Sequence, residues 1–247
     1  MAKNDTEIEL KVVVSSKKLE KLFQHFSKQA IGDIRHKCRP RAYYDTEDKD
    51  LRQRNISLRV QYKLGKNGKL GGFEQTIKFS TDKDAASAKK DGVLIRKEWK
   101  DWLEGPEPSF DMISNKQAQE LLEDLDVSKL CHLFTAIVER RYFEIEVNKG
   151  KKGPKGVVEL AFDVGHIALP ALQGQGYKEL FEIEIELKSG DPAIVDVVKE
   201  QVLDLAAKAY ITTDSKADIG HDFQEKANRK IESKISTVKT PNKQPKR

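Results

Sequence analysis

The feature that most constrains this chain is a strand-like alternation in which the polar partner is nearly always charged. "TEIELKVVV" (Thr6–Val14) sets Glu7, Glu9 and Lys11 against Ile8, Leu10 and Val12. Side chains of a strand point to opposite faces with period two, so each set owns one face. "ISLRVQYKL" (Ile56–Leu64) groups Ser57, Arg59, Gln61 and Lys63, and "FEQTIKF" (Phe73–Phe79) groups Glu74, Thr76 and Lys78. "VLIRKEWK" (Val93–Lys100) groups Arg96, Glu98 and Lys100. "RYFEIEV" (Arg141–Val147) groups Tyr142, Glu144 and Glu146, with Arg140 just ahead on the same side. "VVELAFDVG" (Val157–Gly165) groups Glu159 and Asp163, and "LFEIEIELK" (Leu180–Lys188) groups Glu182, Glu184, Glu186 and Lys188.

Gly-rich runs, "KLGKNGKLGG" (63–72) and "NKGKKGPKG" (148–156), read as hairpin loops between such strands. The rhythm predicts an antiparallel sheet of about eight strands, open or closed. Three amphipathic helices interrupt it, over 15–26, 114–125 and 191–210, the last opening on Asp191 and Pro192. Such helices need an apolar surface to cover, and the apolar strand faces supply it. The charged faces must then turn away from the helices, into the sheet's concave side.

The acids and bases are segregated. Glu7 and Glu9 share one strand, Glu182, Glu184 and Glu186 another. Carboxylates two apart on one face lie about 6–7 Å from each other and repel unless a cation relieves them. A hard divalent ion with oxygen ligands would do so. The bases Arg59, Lys63, Lys78, Arg96, Lys100 and Arg140 sit on other strands. Acids on one wall and Arg/Lys on the other suit a complex of metal and polyphosphate.

In order along the chain, these segments resemble the CYTH superfamily, the triphosphate tunnel metalloenzymes, from about Glu7 to Phe223. The Glu-x-Glu-x-Lys of Glu7, Glu9 and Lys11 is similar to the family's N-terminal hallmark. "YYDTEDKDLRQRNISLRVQ" resembles its Tyr-Tyr-Asp-Thr and Leu-Arg-x-Arg segment, with Gln61 where a second arginine is usual. "TIKF", "IRKEWK", "ERRYFEI", "VELAFDVG", "FEIEIELKSGD" and "DSKADIGHDF" follow in the family's order. The resemblance implies an α+β fold: a closed eight-stranded antiparallel β-barrel, a tunnel with a charged interior, packed outside by α-helices. It implies Mg²⁺ or Mn²⁺ held by Glu7, Glu9, Glu182 and Glu184, and phosphate bound by Lys11, Arg59, Lys78, Arg96, Arg140 and Lys216. Glu7, Glu9 and Lys11 would be the catalytic set. The activity it implies first is metal-dependent hydrolysis of inorganic triphosphate to pyrophosphate and phosphate. Two further readings stand beside it: a class IV adenylyl cyclase or thiamine/nucleoside triphosphatase of the same family, and a polyphosphate-binding module without turnover.

Composition narrows the setting. The chain has 247 residues, 38% hydrophobic and 34% charged, and no apolar run long enough for a membrane span. Two cysteines, Cys38 and Cys131, give neither a disulfide framework nor a zinc spacing, so a reducing cytoplasm is expected, with no membrane and no specific nucleic-acid partner. Residues 224–247 hold eight Lys/Arg and two Glu, a net of +6, which leaves about −1 for residues 1–223 out of the total of +5. This divides the chain into a tunnel domain, 1–223, and a basic tail, 224–247, expected to be disordered. The five histidines (25, 36, 132, 166 and 221) are scattered and read as structural or exposed.

Overall fold

A computed structural model describes residues 6–64, 70–172 and 176–238. Eight long strands run as β1 (Thr6–Val13), β2 (Ala30–Asp45), β3 (Ile56–Leu64), β4 (Leu70–Phe79), β5 (Val93–Leu103), β6 (Cys131–Asn148), β7 (Lys155–Ala168) and β8 (Tyr177–Gly190). Their hydrogen-bonded order is β5-β4-β3-β2-β6-β7-β8-β1, and β1 pairs back to β5. The expected closed eight-stranded antiparallel barrel is therefore present, each strand having a neighbour on both sides, although β3 pairs with β2 over Arg41–Tyr44 only. A short β9 (Tyr210–Thr212) pairs with Lys11–Val13 of β1, beyond the stretch that pairs with β5.

Helices cover the outside: α1 (Ser16–Phe26), α2 (Asp50–Gln53), α3 (Asp82–Asp91), α4 (Lys116–Leu122), α5 (Ala193–Leu205) and α6 (Lys216–Val238). The stripe Leu19, Leu22 and Phe26 of α1 and Ile194, Val198 and Val202 of α5 pack on Leu10, Val12, Leu160, Phe162, Ile183 and Ile185 from the outward strand faces. A second cluster joins Ala118 and Leu122 of α4 to Leu58, Val60, Ile77 and Trp99. The apolar alternation thus faces out against helices, and the charged alternation faces in.

Three elements depart from the sequence reading. The predicted helix over 191–210 ends at Leu205, and Tyr210 starts β9 instead. β2 escapes periodicity because His36, Cys38 and Pro40 leave its outer face without an apolar row. α6 crosses the boundary expected at 223/224: residues 224–238 continue the helix, while 239–247 lie outside the described residues, as does the tip of the predicted loop at 65–69.

The start of α6 is fixed locally. Ser215 Oγ accepts from Asp218 N (3.1 Å) and Asp218 Oδ2 accepts from Ser215 N (2.8 Å), a reciprocal cap of the Ser-x-x-acid kind. Ion pairs Arg52–Asp222 (2.6 Å) and Lys49–Glu225 (2.5 Å) tie the helix to the β2–β3 connection. Asp45 orders that connection, accepting from the N–H groups of Thr46, Leu51 and Arg52 at 2.8–3.0 Å. Gly220 lets α6 approach β6: a Cβ there would lie 2.2–2.5 Å from three ring carbons of Phe134, which is fully buried and stacked on Tyr43. Gly220→Ala is expected to cost about 1–3 kcal/mol of overpacking strain. A thermal melt would show a lower Tm, and turnover should drop with it, because Lys216 rides on the same helix.

Candidate functional site

Register decides which charges meet. Residues directly opposite in neighbouring strands share a face. Arg140 of β6 stands opposite Asp163 of β7, and Asp163 opposite Glu182 of β8. Glu184 of β8 stands opposite Lys11 of β1, and Glu186 opposite Glu9. Glu7 lies opposite Arg96 of β5, and Glu98 of β5 opposite Lys78 of β4. The inward row of each strand is thereby joined to the next around the barrel.

One wall is acidic. Carboxylate oxygens of Asp163, Glu182 and Glu184 lie within 4.8 Å of one another, and all three residues are buried. Lys216 reaches them from the first turn of α6, its Nζ at 2.8 Å from Asp163 and 2.7 Å from Glu184 and also bonded to Glu182. Arg140 clamps Asp163 with two bonds of 2.7 Å and also touches Glu184. Burial works to raise the Glu184 and Asp163 carboxyls, but Arg140 and Lys216 outweigh it and hold both below the usual carboxylate range. Burial works to lower the Lys216 ammonium, and the three carboxylates raise it above its ordinary value instead. Asp163, Glu184 and Lys216 therefore stay charged near neutrality.

The facing wall mixes bases with Glu7, Glu9 and Glu98. Lys78 Nζ donates to Glu7 at 2.5 Å and lies 3.3 Å from Glu98; Arg96 pairs with Glu9 and lies 3.7 Å from Glu7. Arg59 lies 3.6 Å from Glu98. Burial again works to raise Glu7 and Glu98, and the neighbouring bases, Lys78 first, pull both down. Lys11 stands between the walls, 3.4 Å from Glu9 and 3.8 Å from Glu184. The Nε groups of Arg59 and Arg96 are buried with no acceptor among the described residues.

Between the walls is a cavity of about 290 Å³, bordered by all six bases expected to bind phosphate: Lys11, Arg59, Lys78, Arg96, Arg140 and Lys216. Glu7 and Glu184 border it too, while Glu9 and Glu182, each 2% exposed, reach it through their basic partners. A second cavity beside α2, α3 and the start of α6 shares Ser57, Lys78, Arg96, Ser215 and Ala217 with the first, so the barrel is hollow toward both ends.

The sequence model of the CYTH domain matches residues 5–219. The chain belongs to the CYTH domain family. Among solved structures, the CYTH chain here is similar to a candidate adenylyl cyclase from Hippeastrum reported to have a dominant triphosphatase activity: 15% identity, TM-score 0.59, covering 87% of this chain and 95% of that one. It is also similar to a candidate adenylate cyclase from Bacillus halodurans: 20% identity, TM-score 0.51, covering 86% and 96%. At these identities the likeness establishes the barrel alone. No curated protein matches the chain significantly in sequence. No helix among the described residues is long and apolar enough to cross a membrane.

The expected metal ligands divide between the walls. Glu182 and Glu184 gather with Asp163, while Glu7 and Glu9 stand on the far side of Lys11. Sequence reasoning placed Asp163 on an inward face but gave it no role; its pairing opposite both Arg140 and Glu182 becomes visible only once β6, β7 and β8 are in register. It also missed Arg35, Lys37, Arg39 and Arg41, which border the cavity from β2. The signal was present as bases at every second position of "RHKCRPRAY".

Proposed function

We propose that this protein is a divalent-metal-dependent hydrolase of inorganic triphosphate, releasing pyrophosphate and orthophosphate. The observation that carries the reading is a closed tunnel in which a buried carboxylate cluster faces a wall of Arg and Lys. The donors Asp163, Glu182 and Glu184 are hard oxygens close enough to share one cation, which fits Mg²⁺ or Mn²⁺. Glu7 and Glu9 would complete the set from β1. A bound divalent ion would neutralise charge on the phosphate oxygens and polarise the phosphoryl group.

The residues of the chain supply the rest. Arg59, Lys78, Arg96 and Arg140 bind the equatorial phosphate oxygens with charge-assisted hydrogen bonds, and Lys11 and Lys216 hold the chain against the acidic wall. This fixes the triphosphate in line for attack. A carboxylate of the acidic wall orients a water whose oxygen bonds to a terminal phosphorus as the bridging P–O bond breaks, the water's proton passing to a phosphate oxygen. Pyrophosphate leaves on the bridging oxygen, held by the bases opposite. The cavity border supports the bare triphosphate: its aromatic members are Tyr43 and Tyr142, and the Tyr142 ring is already covered by Arg35 and Lys37 at 4.5 and 4.2 Å.

One observation favours an organic triphosphate as a second reading. Trp102 lies opposite Glu74, hence on the inward face of β5 at the mouth, and is 57% exposed. An assay of orthophosphate release from triphosphate, ATP and thiamine triphosphate, with Mg²⁺ and Mn²⁺ in turn, decides between them. The expected result is highest kcat/KM on inorganic triphosphate. Cyclic AMP from ATP would favour a cyclase, and absence of product from every substrate would favour a binding module.

A further inference from the structure

Four bases toward the tunnel mouth are neutralised within the protein. Arg35 pairs with Glu144 (3.2 Å) and Glu159 (3.3 Å), Lys63 with Glu74 (2.8 Å), Lys188 with Glu186 (2.8 Å), and Lys100 with Glu98. Three consecutive inward residues of β2 differ. Among the described residues, Lys37, Arg39 and Arg41 have no carboxylate at ion-pair distance, although all three border the cavity. The Lys37 ammonium lies over the Tyr142 ring, and Arg41 donates only to the neutral amide of Gln61 at 3.4 Å.

The three form a column. Alternate residues of a strand are spaced about 6.6 Å, so the column is about 13 Å long. Its inner end, Arg41, is buried at 8% exposure, and Arg39 and Lys37 are progressively nearer the mouth, where Arg35 is exposed. β3 pairs with β2 only over Arg41–Tyr44, so the column continues past the end of that pairing. Burial first, then Arg59 and Arg140, push the Arg41 guanidinium down to about 10, with Tyr43 and Asp163 acting the other way from beyond ion-pair distance. Arg39 in turn helps to lower Lys63. Unpaired buried charge is costly to hold, and an anion arriving from solution relieves it.

We propose that Arg41, Arg39 and Lys37 are a phosphate track leading from the triphosphate site to the mouth, and that the tunnel takes linear polyphosphates longer than three units. The inference rests on the reading of the tunnel as a phosphate-chain site. The inner phosphates occupy the six-base site, Arg41 takes the junction, and Arg39 and Lys37 take the phosphates beyond. An evenly spaced row of cations with no interposed carboxylate matches a polymer that carries charge on every unit.

The test is titration calorimetry in EDTA, where binding is read without turnover, using inorganic triphosphate and a longer linear polyphosphate of defined length. Wild-type protein is expected to bind the longer chain more tightly. K37Q/R39Q is expected to lose about tenfold for the longer chain and to stay within about twofold for triphosphate. K37R/R39K, which keeps both charges, should retain the preference, and an unchanged thermal melt confirms that each variant is folded. Equal loss for both ligands, or loss for neither, overturns the track while leaving the triphosphate site in place. Binding of neither ligand by wild-type protein, in EDTA and again with a divalent ion under conditions where no orthophosphate is released, overturns the underlying reading as well. If a 5′-triphosphorylated RNA outcompetes polyphosphate and alone loses affinity in the variant, the track belongs to nucleic acid and the proposal falls.

Discussion

Replacing Lys216 with methionine is expected to destabilise the metal-free protein by about 3–5 kcal/mol, the usual cost of stripping the partner from buried charge. The Lys216 side chain is 4% exposed and contacts Asp163, Glu182 and Glu184 together. Without it, three buried carboxylates retain Arg140, with Lys11 as the next base at 3.8 Å from Glu184. For a chain of this size each kcal/mol moves Tm by about 2–4 °C, so a melt in EDTA should fall by roughly 6–20 °C. Mg²⁺ supplies the discriminating result. A cation seated among the carboxylates takes over the neutralising role, and at a hundred times its Kd it adds about 2.7 kcal/mol. The variant should therefore gain more Tm from Mg²⁺ than wild-type protein does, since no ammonium competes for the site. Equal gains would show that the cluster is an ion-pair network and not a metal site.

The second large effect is on turnover. Glu7→Ala and Glu9→Ala should each reduce metal-dependent release of orthophosphate by at least about a hundredfold, the scale set by loss of one preorganised electrostatic group. The fold should survive both. Lys78 loses Glu7 but keeps Glu98 at 3.3 Å, and Arg96 loses Glu9 but keeps Glu7 at 3.7 Å. Lys11 likewise keeps Glu184. A folded variant with wild-type turnover in Mg²⁺ would remove β1 from the active site.

Much of the barrel was legible because its signal is local. Arg59 and Lys63 announce an inward face two residues at a time, and Leu10, Val12, Ile183 and Ile185 announce the outward one. β2 was not legible: its charged row alternates well, but Pro40 and Cys38 supply no apolar counterpart, so periodicity had nothing to oppose. The strand is held by long pairing with β6, whose partners lie about a hundred residues away in sequence. α6 was similarly hidden. Its charged stretch reads as a solvated tail until Asp222 and Glu225 are seen against Arg52 and Lys49.

The sequence by itself determined that these strands turn a charged face inward and which residues lie on it, because side-chain parity along a strand is a property of the chain alone. Tertiary structure alone decided which charges meet. Register between strands distant in sequence set Asp163 between Arg140 and Glu182, brought Lys216 from α6 onto the acidic cluster, and left Lys37, Arg39 and Arg41 without carboxylate partners among the described residues. Charges interact through space over a few ångströms, so neutralised and waiting cations are indistinguishable until the barrel closes.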